Sequence, residues 1–291
     1  MNGILLIDKP SGWTSSDVVA KLRGVLHEKR IGHSGTLDPM ATGLLVVFVG
    51  RATRAVEFAE SHDKRYLAGL RLGLVTDTQD TTGTPLSTAP QAVSREALEA
   101  ALLPFRGEIA QIPPMYSAIK VKGQKLYEIA RRGGEVERKP RAVTISRLDI
   151  LGQEGGDWLL DVRCSKGTYI RTLCHDIGQA LGCGGCMSSL RRLEAGDFSL
   201  ADAYTLDQVQ RAADEGRAEE LLLPVDNLFS DYPSFLLRSP RDERRIRSGN
   251  VLPAASLPPG QYRVYSNQGA FLALCRAENG ELKTIKSFFE V

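Results

Sequence analysis

The sequence contains no long apolar run. None of its apolar stretches approaches the roughly 18 residues that suggest a membrane-spanning helix, and the segment MNGILLIDKPSG has only a four-residue apolar run before Asp8 and Lys9. A run of that length is too short for a signal peptide. The composition, with 42% hydrophobic and 25% charged residues in a chain of 291, is typical of a globular protein. We therefore expect a soluble, cytoplasmic protein without membrane contacts.

Cysteine is scarce as well. The five cysteines are an odd number and are unevenly spread, which argues against a disulfide framework. The stretch CGGC (183–186) resembles one half of a zinc site, but structural zinc sites usually bring two such pairs with matched spacing. Because Leu181 and Gly182 precede it, we interpret the stretch as a tight turn that ends a helix. The sequence thus predicts no metal site.

Signatures of nucleotide-binding proteins and of serine hydrolases are missing. The sequence has no Walker A motif, no G-x-G-x-x-G motif after a strand and no G-x-S-x-G elbow. A nucleotide cofactor would therefore find no phosphate-binding loop, and we expect a protein that works without a cofactor.

The net charge is only +2, but the charges are unevenly distributed. A nearly neutral chain can carry a basic face, and a protein that binds a polyanion needs one. Acidic residues concentrate in 212–220, and basic residues cluster in 21–30, 131–141, 190–194 and 241–247. Any one of these clusters is more typical of a solvated face, while several clusters beside glycine-rich loops favour a polyanion-binding face.

The predicted helices and strands do not alternate regularly along the chain. The segment 14–28 predicts a helix, because Thr14 or Ser15 can cap it and apolar residues recur at helical spacing. The segment 65–74 alternates apolar residues and predicts a strand with one covered face. Further helices are predicted at 93–105, 124–134 and 168–182, and further strands at 4–9, 44–50, 142–151 and 158–165. Without a βαβ alternation, the pattern favours an α+β fold with a largely antiparallel sheet.

The composition changes near residue 230. The segment 231–250 predicts a link, and the segment after it predicts three short strands separated by turns. We therefore predict a main domain over 1–229 and a small all-β module over 230–291, which is close to the lower size limit for independent folding.

The loop GHSGTLDPMATG (32–43) places one carboxylate, that of Asp38, among glycines and small hydroxyl residues. Such residues often make an ordinary turn. Aspartyl-phosphate enzymes also carry an Asp beside a Gly-Thr turn, but they place a second Asp two residues away to hold magnesium. Met40 stands there, which disfavours phosphotransfer. An ionised aspartate can attack carbon or remove a proton without a metal.

Six motifs together resemble the TruB-type tRNA pseudouridine synthases, and the resemblance covers nearly all of residues 1–228. It implies the pseudouridine synthase fold, a central mixed sheet flanked by helices, and a monomer that isomerises uridine 55 in the T-loop of tRNA. The tail resembles, more weakly, the PUA-type RNA-binding module of such enzymes. The motifs are DKPSGWTSSD, GHSGTLDPMATG, KRYLAGLRLG, TDTQDTTG, PPMYSAIKVKGQKLYEIAR and CSKGTYIRTLCHDIG.

The resemblance assigns the chemistry to a few side chains. It implies that Asp38 is the catalytic aspartate, that Arg171 pairs with its carboxylate, and that Asp80 supports this arginine. Tyr66 matches the residue that stacks on the target base, and its hydroxyl is a candidate for removing the C5 proton. Without the resemblance, Arg171 would be interpreted as an exposed helix residue and Tyr66 as a core aromatic.

The resemblance also implies contacts with the substrate. His33 matches the side chain that fills the space left by the extruded base. Leu190 matches an apolar residue that packs on the uracil from the side opposite Tyr66. A segment at about 111–141 matches an insertion that closes over the tRNA arm. The substrate-binding residues implied in this way are His33, Lys9, Pro10, Asp80, Leu190, Lys64 and Lys120.

Two questions stay open at the level of the sequence. A non-catalytic RNA-binding or tRNA-folding factor with the same fold is the alternative function, and the presence of Asp38, Tyr66 and Arg171 favours the enzyme. The aspartate has three possible roles, which are attack at C1′, addition at C6, and abstraction of the C2′ proton.

Overall fold

The elements are those of a computed structural model, which describes residues 1–89, 92–121 and 123–289. Lys122, in the predicted insertion, lies outside the described residues. Each helix in the described segments is too short or too polar to span a bilayer. The helices are α1 (Ser15–Val25), α2 (Val56–Ala59), α3 (Arg95–Leu102), α4 (Leu126–Ala130), α5 (Ile170–Ala180), α6 (Leu206–Asp214) and α7 (Pro240–Arg247).

The strands divide into a main group and a C-terminal group. The main group comprises β1 (Gly3–Lys9), β2 (Ile31–Ser34), β3 (Thr42–Val49), β4 (Lys64–Leu72), β5 (Leu74–Thr76), β6 (Pro85–Thr88), β7 (Gly107–Gln111), β8 (Lys120–Val121), β9 (Gln124–Lys125), β10 (Arg141–Glu154), β11 (Asp157–Cys164), β12 (Gly185–Ala195) and β13 (Phe198–Ser199). The C-terminal group comprises β14 (Ser234–Leu236), β15 (Leu252–Pro253), β16 (Gly260–Tyr265), β17 (Phe271–Glu278) and β18 (Glu281–Ser287).

The described residues form one main sheet of nine strands, in the order β1-β3-β12-β4-β11-β10-β7, with β2 on β3 and β13 on β12. Its pairings are antiparallel except that of β3 with β12, where Thr42 and Gly43 lie beside Arg191 and Arg192. The predicted α+β fold with a largely antiparallel mixed sheet is confirmed. The sequence pattern predicts no strand at 185–195, yet β12 lies near the middle of this sheet.

The strands β1 and β3 are covered on both faces, which explains why their sequences are continuously apolar. Side chains on one face, including Leu5 and Val47, pack with α1 and α6. Side chains on the other face, including Ile4 and Phe48, pack with an aromatic cluster around Phe229. Helix α1 begins with the predicted cap, because Thr14 and Asp17 form a capping box.

The strands β4, β10 and β11 are covered by α3 and α5. Helix α5 contributes Ile170, Leu173 and Ile177 to this core, and β4 contributes Tyr66, Ala68 and Leu70. The alternation that predicts a strand at 65–74 therefore marks the face that α5 covers. The first turn of α5 lies beside the loop of Asp38, as described below.

The residues after 230 form a second sheet, in the order β14-β16-β17-β18-β15. The three predicted strands correspond to β16, β17 and β18. The prediction of a link at 231–250 is wrong, since this segment contains β14 and α7. Helix α7 carries the expected signals, a capping Ser239 and Pro240 in its first turn. The division of the chain at 229/230 stays a prediction.

The two sheets share one hydrophobic core. Phe229 is 2% exposed, and its ring lies 5.3 Å from that of Phe58 in the main domain and 5.6 Å from that of Phe288 after β18. Leu274 of β17 belongs to the same cluster. The C-terminal sheet is therefore packed against the part of the chain that carries the main sheet.

We expect Phe229→Ala to destabilise the chain by about 3–5 kcal/mol, the usual cost of removing a buried ring. The loss follows because the cavity opens between the two sheets, where rings from both are in contact. Denaturant unfolding measures it. Leu236→Ala, at a residue 57% exposed in the same C-terminal sheet, is the control, and an equal effect of the two changes would show that the shared core contributes little.

Candidate active site

Asp38 lies in the loop between β2 and β3, and neighbouring segments hold this loop in place. The hydroxyl of Ser15 accepts a hydrogen bond from Leu37 N at 3.0 Å and donates one to Leu37 O at 3.3 Å. The backbone N–H of Gly12 donates to Pro39 O at 2.8 Å. The residues on both sides of Asp38 are thus fixed by the start of α1 and the turn before it.

Arg171 of α5 holds the carboxylate of Asp38 from the side. Its Nε lies 2.9 Å from Oδ2 of Asp38, and its Nη2 donates to Oδ1 at 3.2 Å. Two further N–H groups, on Nη1 and Nη2, donate to the carbonyls of Thr78 at 3.1 Å and Tyr116 at 2.7 Å. The Arg171 side chain is 6% exposed and that of Asp38 is 36% exposed. A buried guanidinium therefore orients a carboxylate that remains accessible to substrate.

Asp80 approaches the same guanidinium from the turn after β5. Its Oδ2 lies 3.9 Å from Nε of Arg171, while its Oδ1 accepts hydrogen bonds from Thr78 Oγ1 at 2.8 Å and Thr82 N at 2.9 Å. Gln79 in this turn has a φ of 62°, which non-glycine residues seldom adopt. The turn thus places a second, nearly buried carboxylate beside Arg171, in addition to the carboxylate of Asp38 that Arg171 binds directly.

Tyr66 and Leu190 lie in the apolar cluster beside the Asp38 loop. They come from β4 and β12, and Leu37 and Ala41 of the loop belong to the same cluster. Burial raises the pKa of the Tyr66 phenol, and the nearby guanidinium of Arg192 opposes this rise. Tyr66 is therefore a neutral phenol at rest, packed in an apolar cluster with the guanidinium of Arg192 nearby.

Lys9 is fully buried and bonds to the backbone around the site. Its ammonium donates to the carbonyls of Pro10 at 2.9 Å, Trp13 at 2.5 Å and Pro39 at 3.3 Å. Pro10 itself is exposed. Burial lowers the pKa of Lys9 to about 8, although the neighbouring carboxylate of Asp38 opposes this shift. In this arrangement the ammonium ties the N-terminal turn to the residue after Asp38.

We expect the reaction rate at saturating substrate to fall as the pH rises through about 8, because Lys9 then loses its charge and one of its donors. The charged and titratable groups facing Lys9 are Asp38, Arg192 and Asp17. Lys9→Met should give a lower rate without this alkaline decline. Lys21→Met, at an exposed lysine of α1, should keep it. An unchanged decline in Lys9→Met would assign it to another group.

The same titration affects stability with the opposite sign. The folded-state pKa of Lys9, about 8, lies below the ordinary value of 10.5. Between these values the unfolded chain holds a proton that the folded chain has lost. The contribution of Lys9 to the unfolding free energy is therefore fully present above pH 10.5 and is lost as the pH falls through about 8.

His33 lies on β2, beside Val47 of β3. Burial, followed by the charge of Arg192, lowers the pKa of its imidazole. Within the described part of the chain its buried Nδ1 has no hydrogen-bond partner. His33 is therefore a neutral, partly buried ring next to the Asp38 loop.

Besides Lys9, two further lysines are predicted to contact substrate, and they lie in different surroundings. The ammonium of Lys64 is largely buried and donates to the carbonyls of Glu60 at 2.9 Å and His62 at 2.5 Å. Lys120 is exposed in the short hairpin of β8 and β9. The ammonium of Lys120 is thus accessible to a ligand, whereas that of Lys64 is used in hydrogen bonds to the backbone of the protein itself. Their contacts with substrate stay predictions.

Two residues of the site are not predicted from the sequence. The pattern around Ser15 indicates only a helix cap, and Arg192 belongs to the basic cluster 190–194 without a role of its own. Arg192 is 1% exposed, so this part of the cluster is not a solvated face. The available signal for Arg192 is its position two residues after Leu190, because alternate residues of a strand share a face.

The cysteines provide no reactive thiolate in the described residues. All five are free and buried, and burial raises the pKa of Cys164 and Cys186 to about 11. The predicted turn after α5 covers residues 181–184, where Gly182 and Gly184 adopt positive φ angles of 75° and 74°. The second half of CGGC, Gly185 and Cys186, already belongs to β12. The described residues contain no group of three or more side chains arranged to hold a metal.

Comparison with known families gives two matches that together cover residues 23–230. The model of the TruB family pseudouridylate synthase N-terminal domain matches residues 23–170. The model of the tRNA pseudouridylate synthase B C-terminal domain matches residues 171–230. The first match includes Asp38, Tyr66 and Asp80, and the second begins at Arg171.

Individual proteins match over nearly the full chain. A tRNA pseudouridine synthase B of Stutzerimonas stutzeri (strain A1501) is 45% identical over 278 residues, which cover 94% of this chain and 91% of that protein. One of Clostridium kluyveri is 41% identical over 295 residues, which cover 99% of this chain and 100% of that protein.

Solved structures show the same fold. A chain in the structure titled "Crystal Structure of a Cbf5-Nop10-Gar1 Complex" superposes with a TM-score of 0.74 at 26% identity, covering 99% of this chain and 85% of that one. A second, titled "Structure of H/ACA RNP bound to a substrate RNA containing 2'-deoxyuridine", gives a TM-score of 0.74 at 25% identity with the same coverage.

Proposed function

This chain belongs to the TruB family of pseudouridylate synthases, and we propose that it isomerises uridine to pseudouridine at position 55 in the T-loop of tRNA. One observation of the site carries this proposal. The carboxylate of Asp38 is held on two atoms by the buried Arg171 and remains partly exposed. Its relatives are named for activity on tRNA, and the basic insertion fits a polyanionic substrate.

The proposed reaction moves one bond within the nucleotide. The N1–C1′ bond breaks, the uracil turns, and a C5–C1′ bond forms while C5 loses its proton and N1 gains one. No external donor or oxidant enters this balance. Asp38 is the group that acts on the ribose or the base, by attack at C1′, addition at C6, or abstraction of the C2′ proton.

The target base must leave its loop before it reaches Asp38. Extruding a base costs a few kcal/mol, and a ring stacked in the vacated space offsets part of that cost. We propose that His33 provides this ring, since its lowered pKa keeps the imidazole neutral beside the loop. Tyr66 and Leu190 then enclose the extruded uracil from the apolar side.

We expect the two roles proposed for Tyr66 to separate in two variants. Tyr66→Phe keeps the ring and should bind tRNA normally, but it should retain tritium at C5 because a phenyl ring has no basic atom. Tyr66→Leu should also lose the stacking contact, worth about 1–3 kcal/mol per base. Because burial keeps the phenol neutral, the hydroxyl can take up the C5 proton only if its own proton leaves. Near-normal tritium release by Tyr66→Phe would assign this step to another base.

The decisive experiment uses a tRNA transcript that carries tritium at C5 of its uridines. Isomerisation must release tritium into water, whereas binding alone cannot. A matched transcript with cytidine at position 55 tests the site of reaction. We expect release from the first transcript and none from the second. Tight binding without release would favour a tRNA-folding factor, and release from both transcripts would contradict the specificity for position 55.

The partners and location follow from the same proposal. We propose that the segment 111–141 and the C-terminal sheet contact the tRNA arm, that the chain acts as a monomer, and that it works in the cytoplasm, where tRNA is found. Within the insertion, Arg138 donates to Pro113 O at 3.3 Å, and Tyr116 O accepts from Arg171. The base of the insertion is thus bonded directly to the arginine of the site.

A further inference from the structure

Arg192 is a buried cation that lacks a carboxylate partner in the described part of the chain. Its Nε donates to Leu44 O at 2.6 Å, and its Nη2 donates to Gly35 O at 2.9 Å. Arginines that are buried elsewhere in proteins are ordinarily paired with acids, because an unpaired buried charge is costly. The burial of the Arg192 charge is therefore not explained by an ordinary ion pair.

The two carbonyls that Arg192 binds stand at the two ends of the Asp38 loop. Gly35 precedes the aspartate and Leu44 follows it, so one guanidinium closes the loop. The backbone of the loop also packs closely against that of β12, since a Cβ on Gly43 would lie only 2.4 Å from Arg192 O. The parallel pairing of β3 with β12 places Gly43 directly beside Arg192. The loop, the guanidinium and β12 therefore form one packed unit.

The same side chain also lies among the other groups of the site. Arg192 is the cross-strand neighbour of Tyr66, and such neighbours project on the same face of a sheet. Its charge adds to the burial that lowers the pKa of Lys9 and His33, and it opposes the burial that raises the pKa of Tyr66. It is thus the interior positive charge common to these three groups.

We propose that Arg192 is a positioning residue of the reaction, which fixes the Asp38 loop against the strand beside Tyr66 by bridging the Gly35 and Leu44 carbonyls. This inference rests on the proposed isomerase activity. The guanidinium does not touch the substrate. It holds the aspartate at a set distance from the tyrosine, so that both meet the same nucleotide.

The test compares Arg192→Lys, which keeps the charge but replaces the planar fork that bridges the two carbonyls by one ammonium, with Arg192→Met, which loses the charge too. The control is Arg71→Met on β4, an arginine 45% exposed and paired with Asp157. Single-turnover tritium release, tRNA affinity and thermal unfolding are measured for each. We expect a rate loss of about 10²-fold in Arg192→Met and a smaller loss in Arg192→Lys, because misplacement by about 1 Å has effects of this size. Affinity for tRNA should stay within about threefold in both.

The pH profile separates the charge from the bridge. Arg192→Met removes a positive neighbour of Lys9, so the alkaline decline near pH 8 should move to higher pH, while Asp38 and Asp17 still face Lys9. Arg192→Lys should leave the decline in place.

Full rates in both Arg192 variants would overturn the positioning role. A rate loss that only accompanies equal losses of tRNA affinity and of thermal stability in both variants would overturn it as well, in favour of plain support of the fold. Absence of tritium release from the parent protein would instead overturn the proposed activity, and the positioning role would fall with it.

Discussion

We expect Asp38→Asn to abolish isomerisation while tRNA binding persists. The amide has the shape of the carboxylate, so the loop held by Ser15, Gly12 and Lys9 keeps its bonds. The amide oxygen can still accept from Arg171, but the amide is neither a nucleophile nor a base. The rate should fall by about 10⁴-fold or more, as happens when a reacting side chain is removed from an enzyme. Multiple-turnover tritium release measures the loss.

The matched control is Asp149→Asn on β10, where the carboxylate is 49% exposed and pairs with Arg147. That variant should keep the parental rate. Deamidation of the new asparagine back to aspartate would restore activity, but it is slow here. The next residue is Pro39, whose nitrogen carries no hydrogen and cannot close the ring through which asparagine deamidates. Measurable turnover would therefore remove Asp38 from the reaction.

Local patterns in the sequence account for much of the fold. The cap at Thr14, the apolar stripe of α1 and the alternation along β4 each report on burial within one element, so they predict that element well. The sequence of Gly, Thr, Asp and Pro around Asp38 likewise predicts a loop that leads into a strand. These signals need only the residue's own neighbours along the chain.

Other features depend on contacts between distant segments. The strand β12 carries Arg191, Arg192 and Glu194, and nothing in this charged stretch indicates a strand inside a sheet. Its burial is possible because Arg192 donates to carbonyls about 150 residues earlier in the chain. A sequence pattern does not show such partners, so the stretch looks like a solvated face.

The segment 231–250 illustrates a different limit. Its charges and prolines are typical of a linker, and α7 is dominated by arginines. The helix is stable in this setting because Ile246, which is 1% exposed, anchors it to the C-terminal sheet. One buried residue in a polar helix gives too little periodicity to predict it.

The candidate site combines both kinds of information. The resemblance names Asp38, Arg171 and Asp80 one by one, and the structure brings them together around one guanidinium. The resemblance does not show that Arg171 also bonds to Tyr116 O and Thr78 O. Through these bonds the arginine connects the insertion, the Asp80 turn and the reactive carboxylate, so its loss should affect all three.

We expect Arg171→Lys to reduce the rate by about 10²- to 10³-fold, since one ammonium replaces a fork that orients the carboxylate on two atoms. A lysine can reach an oxygen of Asp38, but it cannot also hold the carbonyls of Thr78 and Tyr116. The insertion should then close less firmly, so tRNA affinity should also fall, by about three- to tenfold. Single-turnover release and equilibrium binding separate the two effects.

Arg171→Met should cause a further loss, because it leaves the carboxylate of Asp80, 5% exposed, without its cationic neighbour. Removing one partner of a buried charged pair typically destabilises a protein by about 3–5 kcal/mol. The hydrogen bonds from Thr78 and Thr82 reduce the cost, so a value near the lower end is expected. Arg106→Lys is the control, since Arg106 also binds a carboxylate and a carbonyl, those of Glu99 and Leu148, away from Asp38. If Arg171→Lys kept the parental rate, a point charge would suffice and the fork geometry would not matter.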